Sequence, residues 1–452
     1  MDKLQTSRFS TLRADLRELL TFFAPIFFEQ LCISICSIIT SSTLAGLGSA
    51  EVSAFNLVDT LNVFLLQVFL SMGTGAAVVV SQYRGKRDPV GAGRVAVQSI
   101  WFLTGISLSL FALILIFNRP LLVFLLGAAD EAIFVNGRTF LLTSAFSIPF
   151  FMLYNVSANI IRGSGYPRRT MLLSILTNAL YALFSWLFVQ LGLGMLSPGL
   201  ALIIARAYGA VHGLLLVRRG NEHLYVPTLR IKKLDFSVVR TVLFIGIPMS
   251  IENLIFQGGR LLTQTFVIPF GTDSLAANSI ANNMANLLLV PGSAFQLTLV
   301  PIVGKFIGMD DKDRARSVTR TGVLLSSLMH VVTCTACYFL MTPFLALYSQ
   351  PEPVNDIIRV IFRYYLIAMP LLWSVSFVLP NALRGAGDVR VNMYGSIASM
   401  IVFRLLVSFC LTHFTNLGVH GIWFGMYIDW IARSTFFLVR FHGHAWTEKK
   451  LV

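Results

Sequence analysis

The chain has 452 residues, of which 56% are hydrophobic and only 12% are charged, whereas an ordinary soluble domain carries roughly 25% charged residues. This composition argues against a soluble globular enzyme, and the hydrophobicity excludes a disordered chain. A polytopic membrane protein remains. The net charge of +14 therefore has to be interpreted from its distribution along the chain.

Mostly apolar stretches long enough to cross a bilayer, which takes about 20 residues in a helix, follow one another along the whole chain. Helices are expected because an open sheet edge in lipid leaves backbone groups without hydrogen bonds. The sequence therefore predicts an all-α polytopic membrane protein with twelve transmembrane helices. The predicted spans cover residues 18–44, 51–80, 93–117, 132–158, 169–191, 199–218, 238–268, 275–304, 318–341, 355–380, 391–412 and 419–440.

Lys and Arg residues between the spans predict the orientation, because basic residues concentrate on the cytoplasmic side. If the N-terminus is cytoplasmic, 27 of the 35 basic residues lie on the inner side, four on the outer side and four within spans. The expectation is a multi-pass protein of the plasma (inner) membrane with both termini in the cytoplasm. This bias also explains the basic charge without a nucleic-acid partner.

The five cysteines all lie inside apolar runs. Cys334 and Cys337 are spaced as CxxC, but no second pair and no histidine stands at ligand spacing. The sequence therefore predicts packing thiols, with neither a disulfide nor a zinc site. No metal and no organic cofactor are expected.

An internal repeat relates the two halves of the chain. A shift of 223 residues places Pro25 on Pro248 and Glu29 on Glu252, and a shift of 222 places RGSGYPR (162–168) on RGAGDVR (384–390). A duplicated six-helix unit predicts two lobes related by a pseudo-two-fold axis along the membrane normal, as in transporters built from parallel repeats. The predicted boundaries are an N-lobe at 1–218, a basic cytoplasmic linker at 219–237, and a C-lobe with the C-terminal tail at 238–452.

Pro25 and Pro248 occupy one repeat position well inside the first span of each lobe. Proline removes a backbone hydrogen bond and can kink a helix. Two facing lobes suggest alternating access, so these prolines are hinge candidates. A static kink is the alternative, and the sequence does not decide between them.

Family-like segments occur in the same order in both halves. They read GTGAAVVVSQYRGKRD and PGSAFQLTLVPIVGKFIGMDD, then RGSGYPRR and RGAGDVR, and finally LGVHGIWFGMYIDWIARS near the end. Together they resemble the multidrug and toxic compound extrusion (MATE) family, within a superfamily that includes lipid-linked oligosaccharide flippases. The resemblance covers nearly the whole chain. It implies a twelve-helix secondary antiporter that exports amphipathic, often cationic compounds in exchange for H⁺ or Na⁺.

The sequence departs from the family pattern where coupling chemistry is expected in the first lobe. Many relatives have an Asp where this chain has Thr40, and some carry an Asn and an Asp in the fifth span where Tyr181 and Ser185 stand. This departure puts the usual cation site of the first lobe in doubt. Polar residues predicted to line a cavity are Thr40, Asn56, Asn178, Tyr181, Asn282 and Asn283.

Ionisable residues inside the membrane are functional candidates because a charge at mid-bilayer costs about 2.5–3.5 kcal/mol on insertion scales. The predicted spans contain Glu29, Asp59, Glu252, Asp429, Arg206, Arg260, Arg404 and Arg433. Glu252, Glu29 and Asp59 are the candidates for carrying the coupling ion or a substrate charge. For Glu29 and Glu252 the alternative is a structural ion pair with Arg206 and Arg404.

The remaining candidates are gating or structural pairs. Asp429 is expected to pair with Arg404 on the preceding helix or, alternatively, with Arg433 four residues later. Counting residues from the ends of their predicted spans places Asp59 and Arg260 at similar depths below the outer face. This predicts a gate between the two lobes on the outer side. A static pair of Asp59 with Arg206 is the alternative.

The function predicted from these features is secondary active efflux of amphipathic, cationic small molecules or drugs in exchange for H⁺ or Na⁺. The protein is expected to act as a monomer whose partners are its substrates and the lipid bilayer. A flippase for lipid-linked oligosaccharide or lipid is the alternative. A membrane enzyme is not supported, since the sequence contains no GK[ST] phosphate loop, no HExxH and no GxSxG.

Overall fold

The computed structural model describes residues 2–127, 130–231, 233–346, 348–449 and 451, with side chains from residue 13 onward except 125 and 126. Within these ranges the regular structure is helical, apart from one isolated bridge between Asn221 and Leu224. In the first half the helices are α1 (Asp2–Leu44), α2 (Ser49–Lys86), α3 (Pro89–Leu126), α4 (Glu131–Gly163), α5 (Pro167–Gln190) and α6 (Leu196–Arg219).

In the second half the helices are α7 (Phe236–Thr265), α8 (Gly271–Leu288), α9 (Val290–Gly308), α10 (Lys312–Ala346), α11 (Glu352–Ala368), α12 (Leu379–Gly385), α13 (Val389–Ser399), α14 (Val407–Phe414) and α15 (His420–His442). A short 3₁₀ turn, Ile268–Phe270, precedes α8. Two π-helical segments, Met369–Val378 and Met400–Leu406, join α11 to α12 and α13 to α14.

The helix bounds repeat along the chain. α2 covers 49–86, and α8 with α9 covers 271–308, which is the same length displaced by 222 residues. The second copy differs in that α8 ends at Leu288 and Pro291 lies in the first turn of α9. α4 and α5 are single helices. Their counterparts in the second copy are α11 with α12 and α13 with α14, and each of these is joined by a π-helical segment. The repeat read from the sequence is therefore also a repeat of helices, with its irregular backbone in the second copy.

Eleven helical segments of the described residues are long and apolar enough to span a membrane. One of them, residues 236–288, joins α7 to α8 and so contains parts of two predicted spans. α15 is not among the eleven, and it carries the buried charged residues Asp429 and Arg433. Residues 236–288 and α9 together correspond to two predicted spans, so the omission of α15 alone accounts for the difference between the eleven segments and the twelve predicted spans.

Contacts divide the described chain into two compact units. The N-terminal unit comprises residues 28–250 together with Leu451, and the C-terminal unit comprises residues up to Phe27 and from Ile251 to 449. Both divisions fall two residues after a helix proline, Pro25 in α1 and Pro248 in α7. The first helix of each repeat thus begins in one unit and ends in the other.

Glycines bring the second and fourth helices of each repeat into close contact. A Cβ on Gly163 would lie 2.7 Å from the carbonyl oxygen of Ala77, and a Cβ on Gly385 would lie 2.6 Å from that of Val300. Both distances are too short for any other residue, so only glycine allows the backbones to approach this closely. The glycine of each RG motif fixes the position of the arginine that precedes it.

Candidate functional site

The N-terminal unit contains a buried ion pair between α1 and α4. The guanidinium Nη2 of Arg162 donates to Oε1 of Glu29 at 2.8 Å, and the Ser174 hydroxyl on α5 donates to the same oxygen at 2.8 Å. Tyr154 in turn donates to Ser174 at 2.9 Å. Glu29 is only 3% exposed, and its Oε2 has no hydrogen-bond partner among the described residues. The carboxylate is held through one oxygen and leaves the other available.

The C-terminal unit repeats this arrangement between α7 and α12. Nη2 of Arg384 lies 2.6 Å from Oε1 of Glu252, and Nη1 of Arg384 donates to Asn381 at 3.0 Å. Glu252 is 6% exposed. Its Oε2 also lacks a hydrogen-bond partner among the residues described. Each repeat therefore pairs the glutamate of its first helix with the arginine of its RG motif.

These two pairs correct one expectation from the sequence. The structural alternative for Glu29 and Glu252 named Arg206 and Arg404 as partners, but the arginines in contact are Arg162 and Arg384. The predicted spans end at residues 158 and 380 and so leave both RG motifs in the connections between helices. In the structure the motifs are the last turns of α4 and α12, buried against the neighbouring helix by their glycines. The repeat aligned the two motifs, but their low hydropathy gave no sign that their arginines are buried beside Glu29 and Glu252.

Glu252 lies at the wall of a cavity of about 240 Å³ inside the C-terminal unit. The charged residues of the wall are one acid and four arginines: Glu252, Arg260, Arg384, Arg404 and Arg433. Its aromatic residues are Phe256, Tyr365, Trp373, Phe377, Trp423 and Trp430. Trp373 and Arg404 belong to the two π-helical segments. π-Helical turns are frequent at functional sites because they redirect side chains, and here they place side chains in the cavity wall.

Asp429 lies beside this cavity and is fully buried. Its Oδ1 accepts from Nε of Arg433 at 3.1 Å and from the Ser399 hydroxyl at 2.5 Å, while Nη1 of Arg404 is 3.9 Å from its Oδ2. Both arginines named as alternatives thus contact the same carboxylate, and the intrahelical Arg433 is the closer one.

The remaining membrane charges of the N-terminal unit are Asp59 on α2 and Arg206 on α6. Arg206 acts electrostatically on Asp59, and its Nη1 donates to the Ser147 hydroxyl at 2.6 Å. Its guanidinium also lies 4.8 Å from the ring centroid of Phe151. Asp59 and Arg260 fall in different units, so the outer gate between them stays a prediction.

The predicted polar lining residues fall in several environments. Asn282 lines the C-terminal cavity, whereas Asn283 is exposed, as is Asn56. Thr40 is buried and its hydroxyl donates to the Cys36 carbonyl of its own helix at 2.9 Å. Asn178 donates to the Ser174 carbonyl at 2.8 Å, and Tyr181 is half-buried. The role of each as cavity lining in transport stays a prediction.

A duplicated bundle of membrane helices with buried ion pairs and an internal charged cavity is the architecture of a polytopic membrane transporter. The sequence profile of the MatE family matches residues 25–187 and 248–410, one stretch in each repeat. The chain belongs to the MatE family, which confirms the family predicted from the sequence.

Two proteins of similar sequence are a "Probable multidrug resistance protein NorM" from Thermotoga maritima and an "Uncharacterized transporter YisQ" from Bacillus subtilis. The first is 26% identical over 67% of this chain and 65% of its own length, and the second is 23% identical over 94% of both. A solved structure described as the outward-facing conformation of a multidrug resistance MATE family transporter superposes with a TM-score of 0.88 at 18% identity, over 97% of this chain and 98% of that chain. This likeness confirms the predicted all-α fold.

Proposed function

We propose that the protein is a secondary active efflux antiporter that exports amphipathic small molecules in exchange for H⁺ or Na⁺. It acts as a monomer in the plasma membrane, with both termini cytoplasmic and without an organic cofactor. Membership of the MatE family and the name of the Thermotoga maritima relative support the class of activity. The observation that carries the proposal is the placement of the Glu252–Arg384 pair at the wall of an internal cavity.

The free Oε2 of Glu252 gives this pair a chemical role in coupling. A proton or Na⁺ that binds the carboxylate neutralises it and weakens its attraction for Arg384, since a hydrogen bond to an ionised group is stronger than one to a neutral group. A coupling ion shifts a conformational equilibrium only through different affinities for the two states. The pair provides such a difference if it is closed in one state and open in the other.

Glu29 holds the equivalent place but is tied more firmly. Its Oε1 accepts from both Arg162 and Ser174, whereas Oε1 of Glu252 lies against Arg384. We therefore assign the main coupling role to Glu252 and a secondary one to Glu29. The hinge roles of Pro25 and Pro248 accompany this proposal, and the divisions between units two residues beyond each proline support them.

Dye efflux from proteoliposomes tests the proposal. The protein is reconstituted without nucleotide, and a ΔpH or a ΔNa⁺ is imposed across the vesicle membrane. Two xanthene dyes of opposite charge serve as substrates, rhodamine 123 as the cation and carboxyfluorescein as the anion. Retained dye is measured after filtration and lysis at one fixed pH, so that the gradient does not alter the readout.

We expect one of the two gradients to accelerate efflux of at least one dye, and an ionophore that dissipates that gradient to abolish the acceleration. Empty liposomes give the passive leak. Efflux that ignores both gradients, or that requires ATP, would contradict the proposal. The cationic substrate predicted from the family resemblance is tested by the same pair of dyes.

A further inference from the structure

The arginines of the C-terminal cavity exceed its acids. Four guanidinium groups line the wall, and the carboxylates in contact with them are Glu252 and Asp429. Glu252 neutralises Arg384, and Asp429 lies close to Arg433. Two positive charges therefore remain without a matching acid of their own, those of Arg260 and Arg404.

The surroundings of Arg260 and Arg404 do not compensate them. Among the described residues, no hydrogen bond or ion pair reaches the Arg260 guanidinium. The only carboxylate in contact with Arg404 in that part of the chain is that of Asp429, whose Oδ2 lies 3.9 Å from Nη1. Arg433 is the closer partner of the same carboxylate, since its Nε lies 3.1 Å from Oδ1. The two guanidinium groups act on each other electrostatically and line both this cavity and a smaller adjoining one. An uncompensated charge away from bulk water is costly, and two close together repel each other.

The repeat shows that this excess is a property of the second copy. At the shift of 223 residues Arg260 corresponds to Ser37, and at the shift of 222 Arg404 corresponds to Ala182. The same comparison places Asn282 of the cavity wall on Asp59. The second copy has two cations at positions where the first copy has uncharged residues, and it has an amide where the first copy has a carboxylate. All three differences favour a negatively charged ligand.

The rest of the wall suits an apolar body attached to that charge. Trp373, Trp423 and Trp430 line the cavity together with Phe256 and Tyr365. Aromatic rings bind apolar ligand surface, while a few polar groups fix its orientation. Guanidinium groups bind carboxylate, sulfonate and phosphate through parallel hydrogen bonds.

We infer that the C-terminal cavity binds the anionic group of an amphipathic aromatic compound between Arg260 and Arg404. This inference rests on the proposed function and deepens it, because it assigns the substrate a negative charge. Asn282 supplies an amide to the same group. The Glu252–Arg384 pair on the same wall remains free to respond to the coupling ion.

Binding to the full-length protein in detergent tests this inference at a fixed pH. Fluorescence anisotropy gives the affinities for carboxyfluorescein and rhodamine 123, which share a ring system and differ in charge. We expect the wild-type protein to bind the anion more tightly. Arg260→Gln and Arg404→Gln should each weaken anion binding about tenfold or more, the scale of a lost hydrogen bond to a charged group, and should not weaken rhodamine binding.

Two further variants separate charge from shape. Arg260→Lys keeps the positive charge and should retain most of the anion affinity. Asn282→Asp introduces the acid that the first copy carries at this position, without removing any arginine, and should weaken anion binding. Arg138→Gln, at an exposed arginine outside the cavity, is the matched control and should bind like wild type. Size-exclusion chromatography verifies that each variant is folded.

The inference is overturned if Arg260→Gln, Arg404→Gln and Asn282→Asp all leave carboxyfluorescein binding unchanged, or if the wild-type protein prefers rhodamine 123. Displacement of the anion by micellar phosphatidylglycerol, but not by phosphatidylcholine, would assign the site to a lipid headgroup and would also overturn it. Binding in detergent needs no ion gradient. A failure here therefore leaves gradient-driven efflux standing, and a failure of gradient-driven efflux leaves this binding result standing.

Discussion

The N-terminal and C-terminal units hold the same buried ion pair in different electrostatic surroundings. In the N-terminal unit the membrane acids and arginines are equal in number: Glu29, Asp59, Arg162 and Arg206. In the C-terminal unit the arginines exceed the acids by two: Glu252, Asp429, Arg260, Arg384, Arg404 and Arg433. Both repeats therefore contain the Glu–Arg pair, but the residues around the pair give the two copies different net charges.

This difference suggests a division of labour between the units. A balanced set of charges satisfies itself within the protein, whereas an excess needs a ligand or water to compensate it. The irregular backbone follows the same division, since both π-helical segments of the described chain lie in the C-terminal unit. We therefore place substrate chemistry in the C-terminal unit and a mainly structural pair in the N-terminal unit. The predictions below test that division.

The largest effect is expected from Glu252→Gln, which should abolish gradient-driven efflux. Gln keeps the shape of the side chain but cannot bind a coupling cation as a carboxylate does. Because the change leaves Arg384 without its partner, a loss of about 3–5 kcal/mol in stability is also expected. Thermal unfolding in detergent measures this second effect separately from transport.

Variants that neutralise both residues of a Glu–Arg pair distinguish a coupling role of the pair from a structural role in each unit. Glu252→Gln with Arg384→Gln, and Glu29→Gln with Arg162→Gln, remove both charges and should recover much of the lost stability, since an uncharged pair carries no unpaired ion. We expect transport to stay abolished in the C-terminal double variant and to return in large part in the N-terminal one, where Glu29 has only the secondary coupling role. Equal loss or equal recovery of transport in the two double variants would contradict the division of labour.

The next effect concerns the glycines that position the two arginines. Gly163→Ala and Gly385→Ala each place a methyl group against a backbone carbonyl oxygen, at 2.7 Å and 2.6 Å. Overpacking of this kind costs about 1–3 kcal/mol, so both variants should unfold at lower temperature. Gly105→Ala and Gly258→Ala are matched helical controls, one in each unit, since a Cβ there meets nothing within 4 Å. A similar drop in the controls would show that close helix contact is not the cause.

These glycines also mark the limit of the sequence-based prediction. The span order, the repeat and Glu29 with Glu252 could be read from hydropathy and from matching residues. The partners Arg162 and Arg384 could not, because Gly and polar residues around them lower the hydropathy of a helix end that is buried against another helix. The shape of the cavity could not be predicted either, because π-helical turns depend on packing and produce no periodic pattern of hydropathy. The sequence therefore identified the acidic residues but not the arginines that contact them.

A smaller effect should appear in double-mutant cycles on transport rate. Asp59→Asn and Arg206→Gln are expected to be non-additive by about 0.5–1 kcal/mol, the lower end of the range for coupled residues. The cycle of Asp59→Asn with Arg260→Gln tests the outer gate predicted from the sequence. Additivity in that second cycle would exclude the gate. Additivity in the first cycle would instead show that Asp59 does not depend on Arg206.

The smallest effect is expected just before α7 in the N-terminal unit, away from both Glu–Arg pairs, where stability should change without transport. Asp235 precedes α7, and its Oδ1 accepts from the hydroxyl and the backbone N–H of Ser237 at 2.6 Å and 3.0 Å, which caps the helix. Hydrogen bonds from Ser237, and secondarily the charge of Arg94, lower the pKa of Asp235. A carboxyl whose pKa is lower in the folded state stabilises the fold above its unfolded pKa, and this contribution is lost as the pH falls through the folded value.

Asp235→Asn keeps an acceptor for the cap but removes the charge, so its Tm should lie below that of wild type at neutral pH. The Tm difference should shrink below about pH 4, where an ordinary Asp protonates, and a difference that stays constant from neutral to acidic pH would contradict the assigned role of the charge.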